Sequence, residues 1–119
     1  MNDVIAAAVR SPRVHNVAGE LPIPRLLALQ SRAVGMISVD TGPAHSGAAV
    51  GCPLVVLFGT AKQERYAPRS PTGRVVCLQA HDAPPLDRMA ALTVEDVEGA
   101  WRRLMDRAPS ESLVASGRQ

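Results

Sequence analysis

An acid, a hydroxyl, a glycine and a histidine stand within one short run, Asp40-Thr41-Gly42-Pro43-Ala44-His45. An apolar segment precedes this run and a segment of small residues follows it, which predicts a strand, a turn and the start of a helix. Backbone N–H groups at a helix start, together with the positive end of the helix dipole, suit a phosphate group. The run therefore indicates a binding site for a phosphorylated ligand.

The first three residues of the run each have a structural interpretation beside the functional one. Asp40 either meets the ligand or stabilises the helix start as an N-terminal acid, and the spacing favours neither. Thr41 is either a simple N-cap or a capping hydroxyl beside the phosphate. Gly42 either supplies a positive φ or leaves the backbone open to an oxyanion. Phosphate binding needs both the hydroxyl and the open backbone.

His45 lies one turn into the predicted helix, where a protonated imidazole would pair with the charge of the ligand. A lone histidine at such a position is more often a surface residue or a hydrogen-bonded core residue. Other candidates are weaker, because a solvated surface loop is the likelier explanation for those between residues 62 and 66, and no further feature supports a ligand contact at the others. They are His15 and Asn16, then Lys62, Glu64, Arg65 and Tyr66, and finally His81 with Asp82.

The elements that position this run alternate between strands and helices. The predicted helices cover residues 3–9, Pro22 to Val34, Pro43–Val50 closed by Gly51, and a last helix capped by Thr93 and Asp96, with Val94, Val97, Trp101 and Leu104 on its apolar face. The predicted strands cover residues 13–17, 35–39, 53–58 and 74–78, with loops at 59–73 and 81–92. The strands at 35–39 and 53–58 are expected to be buried. This order predicts an α/β fold with a parallel sheet and right-handed crossovers.

The composition excludes some functions. The net charge is +2, and there is one Trp, one Tyr and one Phe, so no basic and aromatic surface for nucleic acid is expected. Cys52 and Cys77 lie at or within apolar segments, which predicts buried free thiols rather than a disulfide or metal ligands. No signal peptide and no apolar segment long enough for a membrane span is visible, so we expect a cytoplasmic protein.

A family resemblance lies in these same residues. The run from Asp40 to His45, followed by Ala48-Ala49-Val50-Gly51-Cys52-Pro53-Leu54-Val55-Val56-Leu57-Phe58-Gly59, resembles the signature of the bacterial heptosyltransferases, glycosyltransferase family 9. The resemblance extends upstream to Asn16-Val17-Ala18-Gly19-Glu20 and downstream to Arg65-Tyr66-Ala67-Pro68. It covers residues 14–80 closely and the last helix loosely.

The resemblance implies a GT-B enzyme of two Rossmann-like lobes that moves a heptose from ADP-heptose to the lipopolysaccharide core, with inversion and without a cofactor or required metal. Its C-terminal lobe holds the donor. Asp40 would contact the sugar, Thr41, Gly42 and the next backbone groups at Pro43 and Ala44 would take the diphosphate, and His45 would lie beside them. The expected partners are therefore a nucleotide-diphosphate sugar and a glycan acceptor, with a peripheral contact at the cytoplasmic face of the inner membrane.

The same resemblance predicts an incomplete enzyme. Residues 1–107 correspond to part of the donor-binding domain, and residues 108–119 are expected to be a disordered tail. The catalytic base and the acceptor site would belong to a missing N-terminal lobe, so the chain alone should be inactive. A non-catalytic nucleotide-sugar-binding module is the alternative function. A flavodoxin-like regulatory domain fits less well, because further acids near the strand ends are not evident.

Overall fold

The computed structural model describes residues 2–61 and 67–106, in which three parallel strands lie between helices. The described elements, in chain order, are α1 (Asn2–Val9), α2 (Ile23–Arg32), β1 (Met36–Val39), α3 (Gly42–Ala49), β2 (Leu54–Phe58), β3 (Val75–Gln79), a 3-10 turn (Pro85–Asp87), α4 (Arg88–Ala91) and α5 (Val94–Asp106). The architecture confirms the predicted α/β class with a Rossmann-like parallel sheet. Residues 62–66 and the predicted tail at 108–119 lie outside the described residues.

The sheet has the order β1-β2-β3, with Met36 opposite Leu54 and Leu54 opposite Val75. The predicted strand at residues 13–17 is wrong, because these residues form turns and irregular chain. Side chains there bond to nearby backbone instead: Asn16 Oδ1 accepts the Ala18 N–H at 3.0 Å. Such local hydrogen bonds compete with strand pairing.

One face of the sheet packs against α3. The residues of this cluster are small on the helix and larger on the strands: Ala44, Ala48, Leu54, Val56, Phe58, Val75 and Cys77. Alternate strand residues point to the same face, which explains why every second position of β2 and β3 belongs to it. Gly51 follows the end of α3 and has φ +83, the left-handed conformation expected of a residue just after a helix.

The other face packs against α5, where Val55 and Val76 meet Ala100 and Leu104. The predicted capping box is confirmed, because the Asp96 N–H donates to Thr93 Oγ1 and the Thr93 N–H donates to Asp96 Oδ2, both at 3.0 Å. The predicted apolar face is wrong at its first residue: Val94 is 79% exposed. The helix therefore contacts the sheet through its later turns.

Burial differs between neighbouring strands. β2 is buried along almost its whole length, as predicted for a strand covered on both faces. β1 is not, since Ile37 and Val39 are 49% and 46% exposed and Met36 and Ser38 on the other face are only half-buried, so its predicted burial is wrong. The predicted loop at 81–92 contains the 3-10 turn and α4. Among the described helices, none has the length and apolar character needed to cross a bilayer.

Candidate functional site

The run from Asp40 to His45 follows β1 directly and forms the start of α3, at the carboxyl edge of the sheet. Ligands of open α/β sheets bind at this edge. Thr41 occupies the N-cap position with extended backbone angles (φ −143, ψ 177), but its hydroxyl does not cap the helix. Instead Thr41 Oγ1 donates to the Val39 carbonyl at 3.4 Å. The hydroxyl therefore stays at the turn, beside the first residue of α3.

Gly42 is the residue of this turn whose backbone is most open to a ligand. Its φ is not positive, so the interpretation of Gly42 as a left-handed residue is wrong. Apart from its chain neighbours and its own helix backbone, a Cβ atom built on Gly42 would meet no atom of the described residues within 4 Å. The backbone at Gly42 is therefore exposed to an approaching ligand.

The first turn of α3 offers fewer N–H groups than a helix start usually has. Pro43 carries no N–H, and the Ala44 N–H already donates to the Thr41 carbonyl at 3.0 Å. The Gly42 N–H finds no acceptor in residues 2–61 and 67–106. Gly42 thus combines an open backbone with a donor that a phosphate oxygen would satisfy.

Asp40 and His45 lie together beside this turn. His45 Nε2 is 3.8 Å from Asp40 Oδ1, and the side chains are 51% and 21% exposed. The sequence placed each residue at the site but did not predict that they pair. Asp40 also acts inside the sheet: burial, with the Asp40 carboxylate as a smaller cause, raises the pKa of the Cys77 thiol to about 12.

Gln30 is a site residue that sequence reasoning missed. It lies on α2 and is 3% exposed, and its amide reaches the first turn of α3. Nε2 donates to the Pro43 carbonyl at 2.9 Å, and Oε1 accepts the Ser46 hydroxyl at 2.9 Å. The only sequence signal is a polar residue at an apolar position of the α2 stripe, where Leu26 and Leu27 precede it.

Gln79 holds the loop that follows β2, and sequence reasoning missed it too. Its Nε2 atom donates to the Gly59 carbonyl at 2.7 Å and to the Ala61 carbonyl at 2.8 Å. This loop leaves the same edge of the sheet as Asp40. The loop candidates Lys62, Glu64, Arg65 and Tyr66 lie outside the described residues.

The remaining candidates are not brought to the turn by a described contact. His15 and Asn16 line a cavity of about 680 Å³ that lies against β1 and is bounded by Ile5, Leu26 and Met36. His81 and Asp82 are exposed in a turn. Within the described ranges, no three His, Cys, Asp or Glu side chains converge as a metal site would require. Cys52 and Cys77 are buried free thiols, as predicted.

Comparison with known proteins supports the sequence resemblance. A family model described as glycosyltransferase family 9 (heptosyltransferase) matches residues 2–93. A lipopolysaccharide heptosyltransferase 3 of Escherichia coli is 41% identical over 66 residues, which are 56% of this chain and 19% of that protein. A second, from strain K12, is 36% identical over 66 residues with the same coverage. The chain thus spans about one fifth of the length of these relatives. No solved structure matches it significantly.

Proposed function

The chain belongs to glycosyltransferase family 9, and from that membership we propose that it carries the donor-binding surface of a heptosyltransferase. The reaction would move a heptose from a nucleotide-diphosphate donor such as ADP-heptose to the lipopolysaccharide core or a similar glycan. The family model covers the whole of the Asp40–His45 run, and this run stands at the ligand-binding edge of the sheet.

One observation carries the assignment of the donor site. Gly42 offers an open backbone and an N–H without an acceptor in the described residues, at the positive end of α3. We assign the diphosphate to Thr41, Gly42, Pro43 and Ala44. In this arrangement the Gly42 N–H donates to a phosphate oxygen, and the Thr41 hydroxyl does so after turning away from the Val39 carbonyl, while Pro43 and Ala44 shape the first turn. Among residues 2–61 and 67–106, no bulky side chain covers the Gly42 backbone.

The Asp40–His45 pair gives the site its charge balance. A diphosphate beside the Asp40 carboxylate alone would be repelled, whereas the His45 imidazole, 3.8 Å from that carboxylate, is a group that can carry the opposite charge. We assign Asp40 to the hydroxyls of the donor sugar, which a carboxylate accepts as hydrogen bonds. His45 then contacts the diphosphate from the exposed side of the turn.

Inverting transfer also requires a base within hydrogen-bond reach of the acceptor hydroxyl. Because Asp40 and His45 serve the donor in this proposal, we assign the base and the acceptor site to a second, N-terminal lobe. Residues 1–107 would then be part of the C-terminal lobe of a GT-B enzyme. We place the enzyme in the cytoplasm, at the inner-membrane face where its glycan acceptor is anchored.

Titration calorimetry with ADP tests the donor site. In the Gly42→Val protein the added Cβ has open space around it among the described residues while the side chain covers the backbone, so ADP affinity should fall by at least about tenfold, the equivalent of one lost charge-assisted hydrogen bond. The matched control is Gly99→Val on α5, where an added Cβ would lie 3.9 Å from its nearest neighbour, Arg103. Unchanged ADP affinity in Gly42→Val, or equal losses in both variants, would contradict the proposal.

A further inference from the structure

Gln30 is the one polar side chain that is fully buried among the described residues. A buried amide is costly unless its donor and acceptor are both satisfied. Those of Gln30 are satisfied: the Pro43 carbonyl accepts from its N–H group, which also reaches Met36 Sδ at 3.5 Å, and the Ser46 hydroxyl donates to its oxygen. Gln30 thus joins α2 to one particular turn of α3.

The surroundings of Gln30 are fitted to this contact. The Ser46 hydroxyl also lies 3.1 Å from the Pro43 carbonyl, so Gln30, Ser46 and Pro43 form a triangle of polar contacts in which two acceptors share the one Ser46 proton. A Cβ atom on Gly47 would come within 3.3 Å of Gln30 Nε2 and 3.0 Å of Met36 Sδ. Only a residue without a side chain lets the amide lie this close to the helix.

We propose that Gln30 is a positioning residue for donor binding: its amide fixes the first turn of α3 so that the Gly42 backbone and the Asp40–His45 pair face the diphosphate. The inference rests on the proposed function. A methionine of similar volume would fill the same space, but it would leave the Pro43 carbonyl and the Ser46 hydroxyl without the amide. The turn would then be free to rotate relative to α2.

A positioning role and a purely structural role differ in which part of the ligand they affect. The phosphates of ADP contact the turn, whereas adenosine has none and does not depend on it. A loss of positioning therefore lowers ADP affinity selectively. A loss of stability alone lowers the affinities for ADP and adenosine by the same factor, because it changes only the folded fraction.

The test compares ADP and adenosine binding to the wild type, Gln30→Met and Ser46→Ala, with melting temperature recorded for each. Leu104→Val is the control, because it weakens the core on the opposite face of the sheet. We expect ADP affinity to fall about fivefold in Gln30→Met and about twofold in Ser46→Ala, since each removes hydrogen bonds that hold the turn. Adenosine affinity should stay unchanged in both, and Leu104→Val should keep the ratio of the two affinities.

The Gln30→Met/Ser46→Ala double variant should bind ADP no more weakly than Gln30→Met alone, because both changes act through the same triangle. Equal losses for ADP and adenosine, or no loss for either, would overturn the positioning role while leaving the donor site intact. If Gln30→Met does not fold, the ratio of ADP affinity to adenosine affinity in Ser46→Ala tests the positioning role instead. A wild-type protein that binds neither ligand would overturn the proposed function, and this inference with it.

Discussion

His45 and Asp40 face each other across the turn that joins β1 to α3, with the histidine Nε2 atom 3.8 Å from the aspartate Oδ1 atom. The imidazole is the more exposed partner, with 51% of its side chain exposed against 21% for Asp40. A contact this exposed adds little to stability. Its value under the proposed function is electrostatic, because it sets an imidazole, which can carry positive charge, beside a site for a negatively charged ligand.

Replacing Asp40 with asparagine should slow sugar transfer more than it weakens ADP binding. The amide keeps the shape of the side chain but loses the charge that we assign to the sugar hydroxyls, and it removes a repulsion on the diphosphate. ADP affinity and the rate of transfer from ADP-heptose should be measured on the same active, two-lobed enzyme. Losses of equal size would identify Asp40 as a stabiliser of the helix start instead.

Replacing His45 with alanine should lower ADP affinity by about fivefold, since a charge-assisted contact to the phosphates is lost and Asp40 is left unpaired. The exposed His81→Ala variant is the matched control and should bind ADP as the wild type does. The loss in His45→Ala should shrink at high salt, because salt screens exposed charges. A loss that does not depend on salt would speak against the electrostatic role.

Gly35 is fixed by packing, and its substitution should destabilise the fold. An added Cβ would lie 2.5 Å from Trp101 Cη2 and 3.1 Å from Met105 Cε. Gly35→Ala therefore forces α5 away from the sheet, and we expect a loss of about 1–3 kcal/mol in the free energy of unfolding. Urea denaturation measures it. Gly99→Ala, in an open position of the same helix, should instead raise stability by about 0.5–1 kcal/mol. Equal effects would contradict the packing argument.

The buried thiols predict a loss of stability at alkaline pH. Burial raises the pKa of Cys77 to about 12, whereas the unfolded thiol keeps its ordinary value of 9.0. Between these values the unfolded chain releases a proton that the folded chain retains. The contribution of Cys77 is therefore complete below pH 9 and falls above it by about 1.4 kcal/mol per pH unit.

Urea denaturation under reducing conditions at pH 8, 9 and 10 tests this slope. Cys77→Ala should flatten it, although the variant is less stable at every pH because it leaves a small cavity. Cys52→Ala should flatten it less, because the pKa of Cys52 is raised by burial but lowered again by the nearby Arg74 guanidinium. If the free energy of unfolding of Cys77→Ala falls with pH as steeply as that of the wild type, Cys77 is not the cause of the alkaline loss of stability.

The sequence predicted the elements whose signals are local. The Thr93 capping box, the left-handed Gly51 and the apolar strand at Leu54–Phe58 all lie where expected. The prediction of a strand at residues 13–17 was wrong because a strand needs a partner strand to pair with. The segment instead forms local hydrogen bonds such as the one that Asn16 accepts. The prediction that Val94 is buried was wrong because periodicity shows which side of a helix is apolar but not at which residue the contact with the sheet begins.

The sequence predicted which consecutive residues form the candidate site, but not how their side chains are arranged in space. Asp40 and His45 were assigned from chain position, and their pairing depends on how β1 and α3 meet in space. Gln30 and Gln79 were missed because an isolated amide carries no spacing signal. Their partners are backbone carbonyls, which every residue has, so the sequence cannot specify them.

The central position of β2 has a kinetic consequence. Both of its partners, β1 and β3, are separated from it by intervening chain, so neither edge can pair through a short hairpin. Bringing β1 and β3 to β2 costs the conformational entropy of the chain segments between them, and this cost comes before the strand contacts that offset it can form. We therefore expect refolding to be slower than that of a helical bundle of equal length, with β2 ordering late and bringing both faces of the core together at once.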